Sequence, residues 1–99
     1  MDVTYRVDKE ILYIGIEGRV DASNAAVAEE KIFSIKNDNP GKHVVMDADK
    51  LEYISSAGLR VLLAAQKKTK GLMKLTNVCE LVMEVFEMTG FADILTIEA

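Results

Sequence analysis

The chain has 99 residues, 49% of them apolar, with three tyrosines, three phenylalanines and no tryptophan. That length makes one domain whose core rests on aliphatic packing, with little to spare. The formal net charge of −4 argues against nucleic acid as the main partner, because phosphate backbones are met by clustered Lys and Arg.

Val3, Tyr5 and Val7 alternate with Thr4 and Arg6, the pattern of a half-buried strand. Asp8-Lys9-Glu10 reads as a turn, and Ile11 to Ile16 as a more central, β-branched strand that closes a hairpin. Gly18-Arg19-Val20-Asp21 breaks the pattern. A helix follows, capped by Ser23 or Asn24, with Ala25, Ala28, Ile32 and Ile35 as its apolar stripe. Asn37 to Gly41 ends it. His43 to Met46 is a short strand, followed by the acidic loop Asp47-Ala48-Asp49-Lys50.

A second helix opens at Ser55-Ser56 and carries Leu59, Leu62, Leu63 and Gln66 on one face. Val61, Ala64 and Ala65 make it apolar enough to be well buried. Its last turn holds the one dense basic run, Lys67-Lys68-Thr69-Lys70, where cations oppose the helix dipole, and Gly71 caps its end. Leu72 to Thr76 is another strand. Asn77 with Glu80 resembles a capping box for a third helix, in which Val78, Leu81, Val82, Val85 and Phe86 share one face. Thr89-Gly90 stops that helix, and Ile94 to Ile97 reads as the final strand. The order β-β-α-β-α-β-α-β requires crossovers. It therefore predicts a single-domain α/β fold with a mixed, mostly parallel sheet, an N-terminal hairpin and three main helices.

Several kinds of chemistry find no support in these residues. The single Cys79 cannot form an internal disulfide, which fits a reducing compartment. Its position reads as a buried small side chain, or alternatively as a reactive thiol in a first helical turn. One His and one Cys, His43 and Cys79, cannot make a four-ligand zinc site. Asp47 and Asp49 are either solvated loop acids or a weak Mg²⁺ contact. Ser56-Ala57-Gly58 is half of a nucleophile elbow, with Ile54 where the leading glycine belongs. No glycine-rich phosphate loop is present, so no cofactor is expected. Met1-Asp2-Val3-Thr4 does not begin a signal peptide, and no window approaches the ~20 apolar residues of a membrane span. The expectation is a cytoplasmic protein without membrane insertion.

The serines remain. Either hydroxyl can cap the second helix. A phosphate there would meet free backbone N–H groups and the positive end of the helix dipole. From residue chemistry alone, an ordinary cap and a phosphorylation switch both stand.

Tyr53-Ile54-Ser55-Ser56-Ala57-Gly58-Leu59, after the acidic loop and Leu51, resembles the signature of the anti-sigma factor antagonists, bacterial members of the STAS domain family. Gly18-Arg19-Val20-Asp21 is similar to that family's second landmark, and Val85 to Phe91 to its third. The resemblance spans residues 1–99 as one STAS domain. It implies partner switching in transcription regulation. The unphosphorylated antagonist binds an anti-sigma factor that is itself a serine kinase of the histidine-kinase-like ATPase type, and so frees the sigma factor. Phosphorylation at the start of the second helix ends the binding, and a PP2C-type phosphatase restores it. The antagonist is then substrate and ligand, not enzyme. By position the phosphoacceptor is Ser56, with Ser55 as the alternative, since Ser55 stands where many relatives carry Asp. Asp21, Ser55, Ser56, Ala57, Gly58 and Arg60 are the expected partner-binding residues. Asp21 also reads as a turn or capping aspartate, and Gly58 as a concession to crowding at the helix start. Other readings are a non-switching scaffold or transport-accessory module, and a small enzyme using Ser56 or the Asp47/Asp49 pair.

Overall fold

The computed structural model describes residues 1–98. Its elements are β1 (Asp2–Asp8), β2 (Ile11–Val20), α1 (Ala25–Asn37), β3 (His43–Asp47), β4 (Leu51–Ile54), α2 (Ser56–Lys68), β5 (Met73–Thr76), α3 (Glu80–Thr89), a 3-10 turn (Phe91–Asp93) and β6 (Ile97–Glu98). The sheet runs β1-β2-β3-β5-β6, with β4 also pairing β2. Among the described residues only β1–β2 is antiparallel; the other ladders are parallel, as crossover connections require. The mixed, mostly parallel sheet, the hairpin and the three helices agree with the pattern in the sequence.

Three expectations need correction. First, Gly18-Arg19-Val20 does not end β2. Gly18 adopts φ +86 and the strand runs on to Val20. Second, this extension pairs with a strand not foreseen, β4. The register moves from Gly18↔Leu51 to Arg19↔Tyr53, leaving Glu52 without an opposite residue. The β2 strand therefore serves two parallel partners in series, β3 along Ile11–Gly15 and then β4. Third, β6 is only Ile97–Glu98, because Phe91–Asp93 coils into a 3-10 turn and carries Ile94 and Leu95 with it.

Period-2 alternation divides the sheet into two faces. Leu12, Ile14, Ile16, Val44, Met46, Met73 and Leu75 turn to one side. There they join Ile32 of α1, Leu59 and Leu62 of α2, and Val82 and Phe86 of α3 in one core. Residues between them on the strands, such as Tyr13 and Lys74, are only partly covered. Val45, though buried, lies outside that core, consistent with a place on the opposite face.

The capping details also depart from expectation. Asn24 does cap α1 by position, but its side chain points backward. Its Oδ1 accepts from the Asp21 N–H at 3.0 Å, and its Nδ2 donates to the Arg19 carbonyl at 3.0 Å. Asn77 adopts φ +58 and donates to Asp47 Oδ1 at 3.1 Å, so the capping box does not form. Cys79 takes the N-cap position of α3 and is exposed, not buried. Gly90 ends α3 at φ +81, as the Thr89-Gly90 stop predicts.

Candidate functional site

Ser55 is the N-cap of α2. Its backbone is extended, and its hydroxyl accepts from the Gly58 N–H at 3.4 Å. That is a long bond, so the cap is at the weak end of its kind. Ser56 is the first helical residue, and its side chain is exposed. Among the described residues its hydroxyl has no hydrogen-bond partner. The two serines thus divide the work: Ser55 is half-buried and engaged, Ser56 open and uncommitted.

The helix beneath is firmly seated. Gly58, Leu59, Val61, Leu62 and Ala65 are buried. A Cβ at Gly58 would come within 2.5 Å of Ile54 Cγ1 and 2.9 Å of Val20 Cγ1. The glycine is therefore what lets the first turn of α2 press against the ends of β4 and β2. That accounts for the crowding role read from the sequence, and it puts Gly58 beneath the surface rather than on it. Ala57 is partly buried and Arg60 exposed.

Asp21 reaches this corner through the main chain. The Ser55 N–H donates to the Val20 carbonyl at 2.9 Å, tying the segment before α2 to the residue before Asp21. The aspartate organises its own turn. Its Oδ1 accepts from the Ser23 hydroxyl, and from the Ser23 N–H at 2.9 Å. The Ala25 N–H donates to the Asp21 carbonyl at 2.9 Å. Donation by the Ser23 side chain, then by its backbone, and the nearby Arg19 charge hold the Asp21 carboxyl below its ordinary value of 3.8. The turn role of Asp21 is thus visible. Arg19 stacks over Tyr53, 4.4 Å from the ring centroid, bridging β2 and β4 on the approach to the serines.

The structure brings Asp21, Ser55, Ser56, Ala57 and Arg60 to the end of β2 and β4 and the start of α2. Arg19 and Tyr53 belong to the same corner but were not singled out from sequence. Only their pairing across β2 and β4 could have revealed them, and β4 was not anticipated. Of the acidic pair, Asp47 ends β3 and its Oδ1 accepts from Asn77 Nδ2 and from the Asp49 N–H at 3.0 Å, while Asp49 is exposed in the turn that follows. Among the described residues no group of three or more His, Cys, Asp or Glu side chains is placed to hold a metal. Among the described residues no helix is long and apolar enough to cross a membrane.

With this mixed-sheet α/β fold described, the chain belongs to the STAS domain family, whose model matches residues 2–99. Within that family, two similar curated proteins are named as anti-sigma factor antagonists. BtrV of Bordetella bronchiseptica, provisionally named one, is 39% identical over 82 residues, covering 80% of this chain and 70% of that protein. The anti-sigma-B factor antagonist of Bacillus subtilis is 26% identical over 102 residues, covering 100% of this chain and 92% of that one. The crystal structure of an anti-sigma factor antagonist from Mycobacterium paratuberculosis superposes with a TM-score of 0.84 at 18% identity, covering 97% and 83% of the two chains. The Bacillus protein SpoIIAA, in its phosphorylated form, gives 0.67 at 16% identity, covering 99% and 92%. At these identities the two structures establish the fold.

Proposed function

We propose that this protein is an anti-sigma factor antagonist whose binding is switched by phosphorylation of Ser56. The observation that carries the reading is the free, exposed Ser56 hydroxyl at the first position of α2, on a helix whose other face is buried. Two relatives named as antagonists support it, the nearer at 39% identity, and SpoIIAA is a protein of this fold known in a phosphorylated form.

The unmodified protein docks on an anti-sigma factor through the corner made by Asp21, Ser55, Ser56, Ala57 and Arg60. The partner is a serine kinase of the histidine-kinase-like ATPase type. The Ser56 oxygen attacks the γ-phosphorus of ATP. A new P–O bond forms, the bond to the β-phosphate oxygen breaks, ADP leaves, and the hydroxyl proton passes to a base of the kinase. The phosphoserine carries about −1.5 to −2 charges. The domain tolerates them because they sit at a helix N-terminus in open solvent. The complex does not, because an unpaired dianion inside an interface costs several kcal/mol. A loss of ~3 kcal/mol weakens binding more than a hundredfold. A PP2C-type phosphatase resets the switch. On this reading the protein catalyses nothing, needs no cofactor and works in the cytoplasm.

Incubation with the cognate kinase and ATP should add one phosphoryl group, mapped to Ser56 by mass spectrometry and lost in Ser56→Ala. Ser56→Glu should keep the fold and lose the partner. If Ser56→Glu binds the kinase as tightly as the parent, the switch is refuted.

A further inference from the structure

We propose that Arg60 closes on the phosphoryl group of Ser56 within the same chain, so that modification removes a cation from the docking face while adding a dianion. The inference rests on the Ser56 reading above and deepens it.

Ser56 and Arg60 are four residues apart on α2, and both are exposed. Residues at that spacing share a helix face. Side chains on a helix lean toward its N-terminus, so the long Arg60 side chain can reach back over the turn that begins at Ser56. An acid placed four residues before a base is also the favourable order. A guanidinium offers a planar fork that matches two phosphate oxygens at once.

Arg60 is free to do this. Among the described residues the ion pair is Lys74–Glu98, and the cations over aromatic rings are Arg6, Arg19 and Lys68. No acidic residue stands in the first turn of α2 to compete for it. Of the carboxylates near the corner, Asp21 is engaged by Ser23, while Glu52 and Asp49 are exposed on β4 and the turn before it. Before modification Arg60 is available to an acidic group on the partner. Afterwards it is held by the chain's own phosphate, and the pair's net charge moves from about +1 to between about −0.5 and −1.

The test installs phosphoserine at position 56 during translation, so no kinase is involved. The second ionisation of the phosphoserine is followed by ³¹P NMR in the parent, Arg60→Ala and Arg60→Lys. Alanine is the best helix former, and the site is exposed, so the variants fold. The parent's pKa should lie about 0.3 unit below that of Arg60→Ala, a gap restored only in part by lysine, which keeps the charge and lacks the fork, and narrowed by high salt. Equal values in the parent and Arg60→Ala would overturn the inference. A kinase that ignores Ser56 would instead count against the proposed function, and would leave this titration unaffected.

Discussion

Replacing Gly58 with alanine tests how closely α2 is seated. The added Cβ would lie 2.5 Å from Ile54 Cγ1 and 2.9 Å from Val20 Cγ1. Both neighbours are core residues, 1% and 2% exposed, and both are β-branched side chains with little freedom to swing away. Overpacking of this kind costs about 1–3 kcal/mol, and two contacts under 3 Å put it at the upper end. Against that, alanine in place of glycine gains up to ~1 kcal/mol of helix propensity. The steric effect wins, and the net loss is about 2 kcal/mol. For a domain of this size that lowers the melting temperature by roughly 10 °C. Thermal and urea unfolding followed by circular dichroism would measure it, with the urea m-value unchanged. A Gly58→Ala protein as stable as the parent, or more so, would mean that α2 does not press on β4 and β2, and that the serine corner is not positioned by them.

The two serines should separate by stability. Ser55→Ala removes a long capping bond and should cost ~0.5 kcal/mol, while Ser56→Ala should cost less than that, close to zero; a larger loss at Ser56 than at Ser55 in urea unfolding would contradict the division of roles. Asp21 should respond to its neighbour. Its carboxyl is held below 3.8 chiefly by the Ser23 hydroxyl, so its contribution to stability is complete above the ordinary carboxylate range and fades as the pH falls through the lowered value. In Ser23→Ala the Asp21 pKa should move part of the way back up, because the backbone donor remains; an unchanged value by carboxyl ¹³C NMR would disprove the assigned cause.

What the sequence disclosed, and what it hid, follows from the range of the interactions. Elements built on local periodicity were legible: the β1–β2 hairpin, the stripes of Ala25, Ala28 and Ile32 and of Val82 and Phe86, and the stop at Gly90. The four residues of β4 were not. Its buried positions, Leu51 and Ile54, are three apart, which breaks the alternation of a strand, and its partner is the far end of β2. Gly18 misled for a related reason. A glycine between a β-branched run and an aspartate reads as a stop, whereas here it supplies the positive φ at an irregularity inside a continuing strand. Asn77 fell to competition: the same side chain that can cap a helix found Asp47 across the fold. At the site, the segment could be located from sequence, but the difference between its serines, one hydroxyl accepting from Gly58 and the next one exposed without a partner among the described residues, is a matter of geometry.

The main-chain bond from Ser55 to the Val20 carbonyl has a consequence of its own. It holds the two segments carrying Asp21 and Ser56 in fixed relation before any visitor arrives. A protein docking there need not freeze two wandering loops, so less of the attraction is spent on ordering and more remains as affinity. Preorganisation of that sort makes the surface sensitive: when little is lost to disorder, a small chemical change at one oxygen is felt almost undiluted.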